Sequence, residues 1–241
     1  IAVTVTPVND NTPLITSDGA GPTAAVNVAE NSTAVTTVTA TDADLPGQTL
    51  TYSIIGGADS AKFTINSSTG ALSFVSAPDY ETPTDVGTDN VYDVTVQVSD
   101  GSLTDTQAIA VTVTPVNDNT PVITSDGAGP TAAVNVAENT TAVTTVTATD
   151  ADLPGQTLTY SIIGGADAGK FTINNSTGAL TFVSAPDYET PTDSGTDNVY
   201  DVIVEVSDGS LTDTQVIAVT VTSVNDNTPV ITSDGAGASA A

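Results

Sequence analysis

The 241-residue chain carries 29 acidic residues against two basic ones, Lys62 and Lys170, for a formal charge of −27. That balance excludes nucleic acid and anionic membrane surfaces as partners, because both need Lys and Arg to meet their phosphates. The chain has no Cys, His, Met or Trp, which rules out disulfides, thiolate or imidazole metal sites and nucleophilic triads. No run approaches the ~18 apolar residues that span a bilayer, and residue 1 lies in a strand-like pattern rather than a leader, so the chain reads as a soluble piece of something longer with no membrane insertion.

Taken in order, residues 1–13 (IAVTVTPVNDNTP) open as an apolar strand running into a polar, Pro-closed linker. After a Gly/Pro cluster come AVNVA (25–29) and AVTTVTAT (34–41), where Val35 is out of phase with Val38 and Ala40 and predicts a bulge near Thr36 or Thr37. TLTYSII (49–55) sets Leu50, Tyr52 and Ile54 on one face; KFTIN (62–66) contributes Phe63 and Ile65, and ALSFV (71–75) Leu72 and Phe74. TPTDVGTDN (82–90) reads as a flexible loop, with an extra calcium through Asp85 and Asp89 as the sharper alternative. VYDVTVQVS (91–99) turns Tyr92, Val94, Val96 and Val98 inward, and QAIAVTVT (107–114) buries Ile109, Val111 and Val113. Tyr92 and Tyr200 read as core or corner tyrosines. Short period-two runs between turns, with no helical period, predict an all-β antiparallel sandwich of about seven strands.

The pattern then repeats. VNDNTP stands at 8–13, 116–121 and 224–229, a spacing of 108, and residues 13–120 differ from 121–228 at 11 positions without a gap. A period of this size makes each unit a whole domain. The predicted organisation is 1–13, the last strand and linker of a preceding repeat; 14–121, repeat 1; 122–229, repeat 2; and 230–241, the start of a following repeat. Cut off from its sheet, IAVTV (1–5) is expected to be disordered or to pair with an exposed edge.

Acidic residues gather in recurring motifs: AEN (Glu30, Glu138), TDAD (Asp42 and Asp44; Asp150 and Asp152), PDYE (Asp79 and Glu81; Asp187 and Glu189), VSDG (Asp100, Asp208) and VNDN in the linkers. So many hard oxygens with no basic partner point to a divalent cation. Calcium takes 6–8 carboxylate, amide and carbonyl oxygens at about 2.3–2.6 Å, whereas magnesium keeps a strict octahedron and its waters.

TATDADLPGQTLTYSI, KFTINSSTGAL, PDYE and the last strand running into VNDNTP, in this order in both units, resemble the cadherin repeat family along the full length of each unit. The resemblance implies tandem seven-stranded Greek-key β-sandwiches, cadherin-like and Ig-like, arranged end to end with calcium at their junctions. Carried over by motif, the central junction would use Glu30, Asp79 and Glu81 of repeat 1, the Val116 carbonyl with Asn117, Asp118 and Asn119 of the linker, and Asp150, Asp152 and Asp208 of repeat 2, holding two to three ions. Asn9, Asn11, Asp42, Asp44 and Asp100 would form an N-terminal half-site, and Glu138, Asp187, Glu189 and Asp226 a C-terminal one, each for one ion. Where the family has Asp two residues before the linker Asn, this chain has Pro7, Pro115 and Ser223, which removes one carboxylate from each cluster.

The implied function is an extracellular, cell-surface extender, stiffened by calcium, that projects distal binding domains. Near-identical copies without cysteine look like the extender regions of large bacterial adhesins. The alternatives are direct adhesion, homophilic or polysaccharide-binding, and an accessory domain of a carbohydrate-active enzyme; the partners are adjacent repeats of the chain, other copies of itself, or polysaccharide. Asp79 and Glu81, two residues apart in one segment, do not flank a substrate as a glycosidase pair must, and no enzyme is expected.

Overall fold

Runs in which every second residue is Val, Ile, Phe or Tyr form half-buried strands, because successive side chains point to opposite faces. In the computed structural model, which describes residues 1–230, the first repeat contains β1 (Leu14–Ile15), β2 (Thr23–Ala29), β3 (Ala34–Thr37), β4 (Ala40–Thr41), β5 (Thr51–Gly56), a 3-10 turn (Ser60–Lys62), β6 (Phe63–Ile65), β7 (Ala71–Phe74), β8 (Val91–Ser99) and β9 (Thr104–Thr114). The second repeat follows with β10 (Val122–Ile123), β11 (Thr131–Ala137), β12 (Ala142–Thr145), β13 (Ala148–Thr149), β14 (Thr159–Gly164), β15 (Phe171–Ile173), β16 (Ala179–Phe182), β17 (Val199–Ser207) and β18 (Thr212–Thr222). The chain divides into two units with a boundary between Asn117 and Asp118.

In repeat 1 a four-stranded sheet, ordered β2-β9-β8-β5, faces a three-stranded sheet, β3-β7-β6, with β1 and β4 paired beside them. The repeat-2 sheets have the same order, β11-β18-β17-β14 and β12-β16-β15. Tyr92, Val94, Val96 and Val98 of β8 and Ile109, Val111 and Val113 of β9 are all at most 1% exposed, as their alternation predicts. They pack against Leu72, Phe63 and Phe74. Phe63 stacks on Phe74 with centroids 4.6 Å apart, and Tyr92 meets Phe74 edge-on at 5.2 Å. Tyr92 serves both roles foreseen for it: its ring is in the core while its hydroxyl accepts the Thr84 N–H at 3.2 Å, and Tyr200 does the same for Thr192 at 3.1 Å.

Several details differ from the sequence pattern. The 34–41 run splits into β3 and β4, because Val38 is fully buried and its N–H turns to the Gly70 carbonyl at 2.9 Å. The register shift falls between Ala34 and Thr36, one position earlier than expected, and lets both Val35 and Val38 pack on the core. Not every pair is antiparallel: β2 runs parallel to β9, with Thr23 opposite Ala108 and Ala29 opposite Thr114, since a whole domain of chain separates the two strands and no hairpin constrains their direction. Residues 1–13 form no strand, and Ile1, Val3 and Val5 are exposed.

The 82–90 segment is tied down rather than loose. Asp59 and Asp85 are each 4% exposed. Asp59 accepts the N–H groups of Val86 (2.8 Å) and Asp93 (2.9 Å), and Asp85 those of Asp89 (3.0 Å) and Asn90 (3.2 Å). Burial alone would raise the Asp85 pKa, but these donors outweigh it and hold it below its ordinary value. The carboxylates thus serve as internal acceptors for the loop. The remainder of the expected third repeat, from residue 231, lies outside the described residues.

Gly70 sits at φ +71, where a Cβ would meet the Val38 carbonyl oxygen at 2.0 Å. Gly70→Ala is therefore expected to destabilise repeat 1 by about 2 kcal/mol or more, read as a lower urea midpoint, whereas Gly47→Ala, which meets nothing within 4 Å, shifts it little.

Candidate metal centres

β9 is 11 residues long, so its ends lie about 34 Å apart. Because β2 and β9 run parallel and end together at Ala29 and Thr114, Glu30 and the linker emerge side by side at one end. Ser99 and Thr104 close the β8–β9 hairpin at the other end, which places Asp100 there. The carboxylates of one repeat therefore form two groups at opposite ends of its four-stranded sheet.

At the β9 C-terminal end, Glu30, Asp79 and Glu81 bring one oxygen each within 4.8 Å of the others, a spacing that a cation about 2.4 Å from each can bridge. Glu30 is 3% exposed: its Oε2 accepts the Tyr80 N–H at 2.7 Å and its Oε1 the Val116 N–H at 2.6 Å. The acid that begins the AEN motif thus fastens both the Asp-x-Glu segment and the start of the linker. Asp79 Oδ1 accepts the N–H groups of Glu81 and Thr82, leaving Oδ2 for a ligand. Within the linker, Asn119 donates to Asp118 at 3.0 Å, and Asn117 is half-buried.

At the opposite end, Asp42, Asp44 and Asp100 converge in the same way. The linker's Asn11 donates its backbone N–H to Asp44 at 3.0 Å and its side-chain amide at 2.6 Å. That amide bond lowers the Asp44 pKa. The N–H groups of Leu103 and Ser102, then the Asn9 side chain, lower that of Asp100. Rotating either Asn amide by half a turn presents oxygen instead of nitrogen, so the donors to these carboxylates can themselves become ligands to an ion.

The second repeat repeats the arrangement. Asp208 accepts the N–H groups of Ser210 and Leu211, both at 2.7 Å, and Asp150 and Asp208 bring carboxylate oxygens within 4.8 Å of each other. Asp152 holds the position that Asp44 holds in repeat 1, 108 residues earlier. At the β18 end the converging trio is Glu138, Glu189 and Asp226. Asp187 is outside that trio and accepts the N–H groups of Glu189 and Thr190. Sequence reasoning missed Asn139, which donates to Asp226 at 2.6 Å; its place directly after Glu138 in AEN was the available signal.

The residues fit calcium on one structural observation. Asp42 Oδ1 accepts the Asp44 N–H at 2.9 Å, while Asp42 Oδ2 is buried with no hydrogen-bond partner. Leaving such an oxygen unsatisfied costs about 1–3 kcal/mol or more, which a cation in the trio would offset. The donor set is entirely oxygen, which favours a hard ion over zinc or copper. The sequence singled out Asp85 and Asp89 as a further pair; Asp85 accepts the N–H groups of Asp89 and Asn90 within its own loop, and no third acid joins the pair among the described residues.

Loss of hydration raises the pKa of Glu189, helped by the charges of Glu138 and Asp226, and loss of hydration likewise raises Glu81. A carboxyl whose folded pKa is raised loses stabilising effect as pH rises from its unfolded value of about 4.3. For Asp44, Asp85 and Asp100, whose pKa values are lowered, stability is instead lost as pH falls below about 3.9 through the folded value. The calcium-free chain is thus expected to lose thermal stability between mildly acidic and neutral pH, and calcium to raise the melting midpoint more at neutral pH; calorimetry of calcium-depleted and calcium-loaded protein at both pH values checks this.

The description "Cadherin domain" matches residues 24–114 and 132–222. Human Protocadherin Fat 1 is 34% identical over 241 residues, covering 95% of this chain and 5% of that protein, and rat Cadherin-23 is 32% identical over 255 residues, covering 98% and 7%. The chain thus spans a small fraction of these relatives. Among solved structures, protocadherin gamma B2 extracellular cadherin domains 3-6 superpose with a TM-score of 0.65 at 27% identity over 90% of this chain and 53% of that one. The protocadherin gammaB7 EC3-6 cis-dimer gives 0.64 at 27% identity over 89% and 52%. Mouse Cadherin-23 EC22-24 gives 0.57 at 26% over 91% and 67%.

Proposed function

Since the chain belongs to the cadherin family, with two tandem cadherin domains, we propose that it is a calcium-stiffened extender segment of a large extracellular adhesion protein. Calcium binding is general to cadherins, and the family comprises adhesion proteins rather than enzymes. The observation that carries the reading is the preformed trio of carboxylates at both ends of repeat 1, one of which leaves Asp42 Oδ2 buried without a partner. Ligands at both ends suit a module that continues an array in two directions.

In this proposal Glu30, Asp79 and Glu81, the linker's Val116 carbonyl, Asn117, Asp118 and Asn119, and Asp150, Asp152 and Asp208 share two to three calcium ions. Asn9, Asn11, Asp42, Asp44 and Asp100, and Glu138, Asp187, Glu189 and Asp226, belong to the neighbouring junctions of the array. The ions supply positive charge that removes carboxylate repulsion and links each linker to its flanking domains. The protein's residues provide the oxygens, hold them through backbone N–H groups, and convert ion binding into a restricted hinge. The relatives reported above are animal proteins; a bacterial setting rests on the missing cysteines, the acidity and the near-identity of the copies.

A second reading, association between copies of the chain, draws support from the solved cis-dimer of protocadherin gammaB7 EC3-6. Small-angle scattering separates the two. Extender function predicts a monomer whose maximum dimension grows and whose profile sharpens when calcium replaces chelator. An unchanged monomer profile would remove the calcium hinge, and doubling of mass at micromolar concentration would favour self-association. Asp118→Ala is expected to abolish most of the calcium-dependent change while leaving each domain folded.

A further inference from the structure

Tyr80 lies between Asp79 and Glu81, so the orientation of its two flanking peptides decides where both carboxylates point. Its N–H is held by Glu30 Oε2 at 2.7 Å. Its carbonyl is held by the side-chain amide of Asn90 at 2.9 Å. The motifs that carry the calcium reading do not include Asn90, yet it is 8% exposed and bonded through its backbone N–H, its carbonyl and its side-chain amide nitrogen. Its N–H donates to Asp85 Oδ1 at 3.2 Å and its carbonyl accepts the Val113 N–H at 2.9 Å. Its Oδ1 is buried without a partner, so the bond to Tyr80 alone orients the amide.

We propose that Asn90, and Asn198 in the second repeat, are positioning residues for calcium that clamp the Asp-x-Glu segment at the tyrosine carbonyl, while Glu30 and Glu138 hold the N–H of the same tyrosine. The residue type follows from two requirements. The backbone is left-handed, at φ +62 for Asn90 and +64 for Asn198, which Gly, Asn and Asp tolerate best. The side chain must donate to a carbonyl, which Gly lacks and an ionised Asp cannot do. Only Asn meets both. The second repeat reproduces each contact: Asn198 donates to the Tyr188 carbonyl at 3.0 Å and its N–H to Asp193 at 3.2 Å, and Glu138 accepts the Tyr188 N–H at 2.8 Å. The buried Asp85 and Asp193 thus have a purpose in the 82–90 and 190–198 segments: they lock the loop that presents the clamp.

The inference rests on the calcium reading, and its test separates the two. Asn90→Gly and Asn198→Gly keep the left-handed backbone and remove only the amide. In the full chain carrying both changes, titration calorimetry is expected to show the class of sites that includes Asp79, Glu81, Asp187 and Glu189 weakened about tenfold, the equivalent of one hydrogen bond of ~1.4 kcal/mol. Sites built on Asp42, Asp44 and Asp100, about 34 Å away along β9, keep their affinity and serve as the internal control. The melting midpoint in chelator is expected to stay within a few degrees of the unchanged chain. Unchanged affinity at all sites would overturn the clamp while leaving calcium binding intact. Uniform weakening of every site together with a collapsed midpoint in chelator would assign the asparagines a purely structural role, and so would loss of folding in each single variant. An unsubstituted chain that bound no calcium would overturn the underlying reading as well.

Discussion

Carboxylates crowded together without cationic side chains are the constraint around which this chain is organised. Two unit charges about 4.8 Å apart repel by of order 3 kcal/mol at a surface-like dielectric, before salt screening, and each trio contains three such pairs. With two lysines in 241 residues, the chain has little positive charge of its own to neutralise them. It uses backbone N–H groups instead: Glu30, Asp79 and Asp100 all accept them. These dipoles fix the direction of each carboxylate, and at Asp79 both fall on Oδ1, which keeps Oδ2 for an ion. The site is therefore built in advance, and its remaining electrostatic deficit is what a divalent cation removes.

The sheet turns that local chemistry into a mechanical property. A parallel β2–β9 pair brings Glu30 to the point where the chain leaves the domain, and Glu30 grips the first linker N–H beyond it at Val116. The linker's departure and the ligand cluster are thus governed by one side chain. At the far end of β9 the preceding linker is gripped in turn, through Asn11 and Asp44. Ion occupancy at either end acts on a segment already attached to the domain wall, and no domain interior has to rearrange.

The two copies show which positions tolerate drift. Thr95 faces Ala108 across β8 and β9, and their counterparts Ile203 and Val216 face each other across β17 and β18. Both members of this cross-strand pair have exchanged a small or polar side chain for a β-branched aliphatic one, as expected where opposite neighbours stabilise a sheet by mutual contact. Val86 and Ser194 also differ; at this loop position only the backbone N–H is used, donated to Asp59 and Asp167. Asp85, Asn90 and every proposed ligand have a counterpart of the same residue type 108 positions away. With copies this similar, the informative point is structural: the side chain at 86 is free to change because its backbone does the bonding.

Alternation of apolar residues was enough to determine the strands of β8 and β9, their buried faces and the all-β class, because side-chain period and burial are local properties of an extended chain. The resemblance carried by the acidic motifs named Glu30, Asp79 and Glu81, and Asp42, Asp44 and Asp100, as ligands; in each set the carboxylate oxygens lie within 4.8 Å of one another, and their role toward calcium is the proposal made above. Tertiary structure alone decided the parallel direction of β2, the splitting of the 34–41 run, the tethering of 82–90, and the absence of Asp187 from the trio that Asp226 completes. It also decided that Glu30 is a clamp as well as a ligand candidate, and that Asn90 holds the Tyr80 carbonyl. Most of these depend on hydrogen bonds between groups distant in sequence, up to 86 residues apart for Glu30 and Val116, and residue spacing along the chain carries no record of which donor a given oxygen will meet.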